Sequence, residues 1–258
     1  MGIWLLNHIP TTVLAVLVVG GSIAWSGLGL IVVRRRWPQL AAGEHNDVAG
    51  VMLQVVGAVY GIMLAFVVVS VYASYSDAQH TVRAEASYIA QLGVDTHGLD
   101  VGPAIAAEVG AYVHDVVEDE WPAMATGESS PKVQADLVAL FGTMRLYNPS
   151  TQAEIAFYTA AVTDLNNVVN ARRDRLFDAN QELPGVLQVL LYGGAAILTA
   201  STWLLGMRRF RIQLLMVAGV AALVGFSLFV VIVIDHPFSG DVAVSTLPFR
   251  IGVLAAFW

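Results

Sequence analysis

Three groups of residues in this chain have the types and spacing for chemistry. Glu85 and the trio Arg172, Arg173 and Arg175 place opposite charges on two predicted helices. If those helices continue the apolar runs beside them, Glu85 lies about 15 Å, and Arg172 and Arg175 about 12–17 Å, beyond one boundary plane. Equal height on adjacent helices gives an ion pair, read either as a structural brace or as a charged ring at a pore mouth. Asp235 ends the last long apolar run, in Asp235-His-Pro-Phe-Ser-Gly240, where it can meet Arg172, Arg175 or a passing cation. Glu118, Asp119 and Glu120 form an acidic run before Trp121-Pro122. Carboxylates at a helix C-terminus oppose its dipole by about 0.3–1 kcal/mol each, so a cation or a basic partner is expected to offset them. Oxygen clusters suit calcium or magnesium, which makes these three the candidate metal ligands, weighed against a solvated helix end. Finally, Gln54, Gly57 and Gly61 share one face of an apolar helix, where they either pack against a neighbour or line a pore.

Enzymatic motifs are absent from the sequence: there is no His-Glu-x-x-His, Walker loop, Gly-x-Ser-x-Gly or paired-cysteine site. The six histidines, at 8, 45, 80, 97, 114 and 236, lack ligand spacing. The expectation is therefore no enzyme, no catalytic residue and no cofactor.

The elements that must position these groups follow from hydropathy. Four uncharged apolar stretches, 10–33, 48–75, 183–207 and 212–234, each exceed the roughly 20 residues needed to cross a bilayer. Continuous rather than alternating apolarity makes them helices, not barrel strands. Arg34, Arg35 and Arg36 follow the first run, and Arg208, Arg209 and Arg211 separate the last two. Basic turns stay cytoplasmic, so both are expected inside, with both termini and the segment 76–182 outside. That segment holds six basic and sixteen acidic residues, a net of −10. The whole chain carries −7 and has no cysteine, which speaks against nucleic acid as a partner and leaves an outer domain without disulfides.

This predicts an all-α integral membrane protein in four parts. Residues 1–75 hold membrane helices one and two, expected as antiparallel neighbours across the short turn Gly43–Asp47. Residues 76–182 form an acidic, all-helical extracytoplasmic domain, and 183–236 hold helices three and four. Residues 237–258, interrupted by Pro248 and Arg250, are expected as an interfacial segment on the outer face. Within the outer domain, Ala78, Val82, Ala86, Ile89 and Leu92 make one apolar face of helix two's continuation. A helix opened by Pro103 is expected to end before Trp121-Pro122, and another runs from Lys132 with Ser130 as its cap. The last begins with the capping box Thr151-Gln-Ala-Glu154. It carries a coiled-coil-like stripe, Ile155, Val162, Val169 and Leu176, with Tyr158 and Leu165 between them.

The blocks Tyr60-Gly-Ile-Met-Leu-Ala-Phe, Glu85-Ala86, Glu120-Trp-Pro122, Arg172-Arg-Asp-Arg-Leu176, Leu183-Pro184 and Asp235-His-Pro-Phe-Ser-Gly240 together resemble the bacterial bestrophin-like membrane proteins. The resemblance implies kinship with bestrophins, which are pentameric anion channels, and a place in the bacterial inner membrane. Two features differ from bestrophins: the soluble bulk is expected outside, and Glu118 to Glu120 only superficially parallels their calcium cluster. A domain of one charge sign concentrates counter-ions, so conduction here is expected to favour cations. The leading expectation is a homo-oligomeric ion channel or pore in contact with membrane lipid and inorganic ions. Helix two, through Gln54, Gly57 and Gly61, would line the path, with Glu85 at the vestibule. The alternative is a non-conducting scaffold whose heptad stripe binds another envelope protein.

Overall fold

The computed structural model describes residues 2–39, 43 and 45–258; Glu44, within the expected turn Gly43–Asp47, lies outside them. The helices are α1 (Gly2–His8), α2 (Thr11–Arg36), α3 (Asn46–Thr96), α4 (Gly102–Asp115), α5 (Trp121–Met124), α6 (Pro131–Leu146), α7 (Gln152–Asn180), α8 (Gly185–Thr202) and α9 (Phe210–Ile234). A π-helical turn, Val116–Glu120, joins α4 to α5, and two 3-10 turns, Leu247–Arg250 and Gly252–Phe257, follow α9. No strand occurs among the described residues. Helix starts have local causes. Ser130 caps α6 by accepting the Val133 N–H, with Pro131 at the first position. Thr151 caps α7 by accepting the Glu154 N–H at 3.2 Å. In return the Glu154 carboxylate takes the N–H of Ser150, one residue earlier than a standard capping box, at 2.7 Å. That backbone bond holds the Glu154 pKa down to about 2.

Four stretches, in α2, in α3, in the α7–α8 run and in α9, are long and apolar enough to cross a membrane. The chain divides into two units, residues 1–73 with 182–235, and residues 74–181 with 236–258.

In the first unit α2 lies closest to α9, not to α3 as the short turn suggested. Small residues decide this. A Cβ at Gly225 of α9 would sit 2.8 Å from Ser22 Cβ and 3.1 Å from the Val19 backbone, so the two helices touch where glycine allows it. Tyr60 of α3 fills a notch at Gly194 of α8 and donates to the Leu191 carbonyl at 3.2 Å. The buried stripe of α3 here is Tyr60, Val67 and Val71, flanked by the partly buried Leu53, Val56 and Leu64. Only 11% of the apolar window is buried in α2 and in α3, against 33% in α9. Most of that apolar surface therefore faces outward.

The second unit is built on two heptad seams. On α3, Ala78, Val82, Glu85, Ile89, Leu92 and Thr96 are buried at alternating spacings of four and three. On α7 the seam is Ala161, Leu165, Val168, Arg172 and Arg175; Leu165 lies on it as expected, while the heptad positions 162, 169 and 176 fall one residue to the side. Val162, Val169 and Leu176 are only the shoulders of that seam, packed against the core, and Ile155 is exposed. The stripe is therefore not a free partner-binding face. Two further expectations are corrected. Trp121-Pro122 does not stop the helix: the π-turn bonds the Trp121 N–H to the Val116 carbonyl, and Pro122, which has no N–H to give, is absorbed. Nor is the C-terminal segment a separate interfacial piece. Phe238, Val244, Phe249 and Leu254 belong to the core of this unit. Trp258 stacks on His114 at 4.9 Å and donates to the Phe249 carbonyl.

Candidate functional site

At the centre of the second unit the two seams bring four charges together. Arg175 Nε donates to Glu85 Oε2 at 2.6 Å, and its Nη2 reaches Glu85 Oε1 at 2.9 Å and Glu120 Oε2 at 2.6 Å. Arg172 holds the other side of Glu120 through Nη2 at 2.5 Å and Nε at 3.1 Å, and donates to Gln134 Oε1 at 2.7 Å. Tyr112 donates its hydroxyl to Glu85 Oε1 at 2.6 Å, and the Ser130 N–H meets Glu120 at 3.3 Å. Arg175 also lies 5.4 Å from the Trp121 ring centroid. Glu85, Glu120 and Arg175 have no exposure and Arg172 has 6%.

Ionisation follows from this geometry. Burial alone would raise the Glu120 pKa, but the hydrogen bonds of Arg172 and the charge of Arg175 outweigh it and hold it below the usual range. Burial, reinforced by the negative Glu85, pushes the Tyr112 pKa well up. Burial opposes the charge on Arg175, but Glu85 more than compensates and keeps it protonated. Two carboxylates and two guanidiniums cancel, and every strong donor meets an acceptor. Such a network positions helices and leaves no room for substrate. Of the two readings of Glu85, structural brace or vestibule charge, its burial and its pairing with Arg175 fit the brace. Asp235 takes another part: it accepts the Leu183 N–H at 3.1 Å, tying the start of α8 to the end of α9.

The acidic run 118–120 does not converge on a metal. The π-turn sends Glu120 into the network, Asp119 to Lys132 at 2.9 Å and Glu118 to Arg250 at 3.4 Å. No cluster of three or more metal-ligating groups occurs among the described residues. Each acid of the run thus meets a basic side chain.

Lys132 also pairs with Asp115 at 2.7 Å, beside Asp136, whose Oδ2 is buried without a hydrogen-bond partner. Burial and then the charge of Asp115 raise the Asp136 pKa to about 6. A carboxyl with a raised folded pKa stabilises the fold at low pH and loses that contribution as the pH rises through about 6. Asp136→Asn should accordingly raise stability by about 1 kcal/mol at neutral pH, allowing for solvent screening. The gain should vanish near the acid end. Thermal unfolding of both proteins across pH tests this, and equal midpoints at neutral pH would refute it.

In the first unit the two arginine turns share one end. Arg34 donates to Gln213 Oε1 at 2.6 Å and to the Arg208 carbonyl at 3.4 Å, with Phe210 beneath it at 5.4 Å. Asn46 closes that end through a two-way bond with Gly206, at 2.7 and 2.8 Å. Gln213 and Asn46 are not singled out by the sequence, because isolated amides have no periodic signature. Gln54 and Gly61 lie exposed on α3, while Gly57 is half-buried, 3.7 Å from Leu198 at its Cβ position. All three sit beside the buried stripe rather than on it.

No curated protein and no solved structure matches the chain. Four apolar spans, the Glu85-Ala86 and Arg172–Leu176 blocks now joined in one network, and a match over residues 20–249 make the chain a member of the bestrophin-like domain family.

Proposed function

We propose that this protein is a homo-oligomeric pore of the bacterial inner membrane, cation-preferring, with α3 facing the conduction path. The observation that carries this reading is Gln54. It lies about 9 Å inside an apolar run, exposed, with no hydrogen bond among the described residues. An unpaired amide facing hydrocarbon costs roughly 4–8 kcal/mol, so in the membrane it needs water or another subunit. Gly50, Gly57 and Gly61 flank it with backbone that a neighbouring helix can approach closely. One protomer leaves that face bare, and only several around an axis enclose a polar path. Membership of the bestrophin-like family supports a channel-like role.

Cation preference rests on surface charge. The buried network removes two acids and two bases from the sixteen and six of residues 76–182, so the surface keeps a net of 4 − 14 = −10. Exposed carboxylates such as Asp77, Asp100, Glu128 and Asp174, not Glu85, would gather cations. Their place outside the membrane follows from the two arginine turns, which the positive-inside rule keeps cytoplasmic. The role proposed is conduction without a chemical reaction.

Purified protein in planar bilayers should give discrete currents whose reversal in a salt gradient follows the cation. Gln54→Leu should cut the conductance severalfold while leaving the protein folded. A cysteine at Ser129, unique in this cysteine-free chain, should react with impermeant maleimide from the periplasmic side. Silence over a wide range of voltage and pH would end the channel reading, and labelling only after lysis would invert the topology.

A further inference from the structure

We infer that the second unit carries a binding groove for a single-chain amphiphile with a carboxylate head. The groove, of about 450 Å³, lies between α3 and the C-terminal segment. That size is within the range of small-molecule sites, about 300–1,000 Å³. Its floor is apolar: Val82, Ala86, Val244 and Leu254, all buried core residues. Ala86 and Ala90 line it with the smallest side chains it has on α3. Its rim holds Leu247, Ile251 and Val253, each more than half exposed. Gly252 turns the backbone between the last two at φ +64°, a conformation that favours glycine, so both side chains border one cleft. Three such residues around one concavity are apolar surface that an alkyl chain would cover.

Arg83 supplies the chemical class. It lines the groove, is exposed, and makes no ion pair or side-chain hydrogen bond among the described residues. The segment around it holds sixteen acids against six bases, yet none of them reaches this guanidinium. Lys132, Arg172 and Arg175 are paired; Arg145 and Arg173 have no ion pair among the described residues either, but neither lines the groove. A guanidinium at the lip of an apolar cleft matches a carboxylate head whose chain lies along Ala86 and Ala90. Gln79, Ser87 and Ser245 border the same groove and can complete the polar end.

The test uses the full, unlabelled chain in amphipol, with binding followed by isothermal titration calorimetry. Decanoate should give a saturable change, with affinity rising roughly fourfold per added methylene from octanoate upward. Decanol should bind about tenfold more weakly, as expected if a charge-assisted bond is lost. Arg83→Gln should erase the difference between acid and alcohol, and Ala90→Trp should abolish both responses while thermal stability holds. Four results would overturn the proposal: no saturation, equal binding of acid and alcohol to the parent, an unaltered response in Ala90→Trp, or a response that appears only with phosphatidylglycerol nanodiscs and not with decanoate.

Discussion

Replacing Arg175 with methionine is expected to destabilise the helical unit by about 3–5 kcal/mol, the usual cost of leaving a buried charge uncompensated. The substitution keeps an apolar, unbranched stem of similar course but ends short of the guanidinium, so the contact over Trp121 is lost together with the charge. What it removes is the guanidinium that joins Glu85 to Glu120, at 2.6 Å from each. Arg172 then balances Glu120, but Glu85 keeps only the Tyr112 hydroxyl in a site with no exposure. Removing the whole arm together should restore much of the loss. A triple variant, Glu85→Leu, Tyr112→Phe and Arg175→Met, leaves a neutral Arg172–Glu120 pair in an apolar seam, which buried ion pairs commonly tolerate. The pH dependence has a definite sign. Because Glu120 is held below its ordinary range, the network contributes at neutral pH and its contribution is lost as acid protonates Glu120. Denaturant midpoints in detergent, compared for parent, single and triple variants, measure all of this. A single variant as stable as the parent would show that the network does not hold the unit together.

The same residues show what the sequence made legible. Four apolar runs and two arginine turns gave the spans, because hydrophobic length and charge are read directly from composition. Glu85 and Arg175 were matched by height alone, a crude measure that worked because both lie on regular helices. Their burial was also readable in principle: Glu85 falls in the register 78, 82, 85, 89, and Arg172 and Arg175 in 161, 165, 168, 172, 175. A charge at a seam position must find a partner, and the structure supplies Glu120 as that partner. In the sequence Glu120 stands with Glu118 and Asp119, and three consecutive acids look like one cluster. A π-turn separates them by aiming each side chain at a different base, and nothing in local composition announces a π-turn beyond the proline that follows it. The α2–α9 pairing was hidden for another reason. Helices of uniform apolarity carry no moment, so only the places where glycine meets a small residue determine who packs with whom.

Those places predict the second large effect. Gly225→Val should destabilise the membrane unit by roughly 1–3 kcal/mol, the range for forcing atoms into a packed interface. A Cβ there would lie 2.7 Å from Ser22 Oγ and 2.8 Å from Ser22 Cβ. The hydroxyl already donates to the Val18 carbonyl at 2.8 Å, so turning it away also gives up that bond. The Val19 Cα, at 3.1 Å, is backbone and moves only if the helix moves. Gly219 on the same helix is the control, because a Cβ there meets nothing within 4 Å; Gly219→Val should be tolerated. Unfolding by SDS in mixed micelles, followed by circular dichroism, compares the two, and indistinguishable curves would refute tight α2–α9 packing. The comparison also bears on assembly. If α2 and α9 form the rigid pair of each protomer, α3 remains the helix with an unpartnered glycine and glutamine face. Gly225→Val should then weaken the protomer before it alters any conductance, whereas Gln54→Leu should do the reverse.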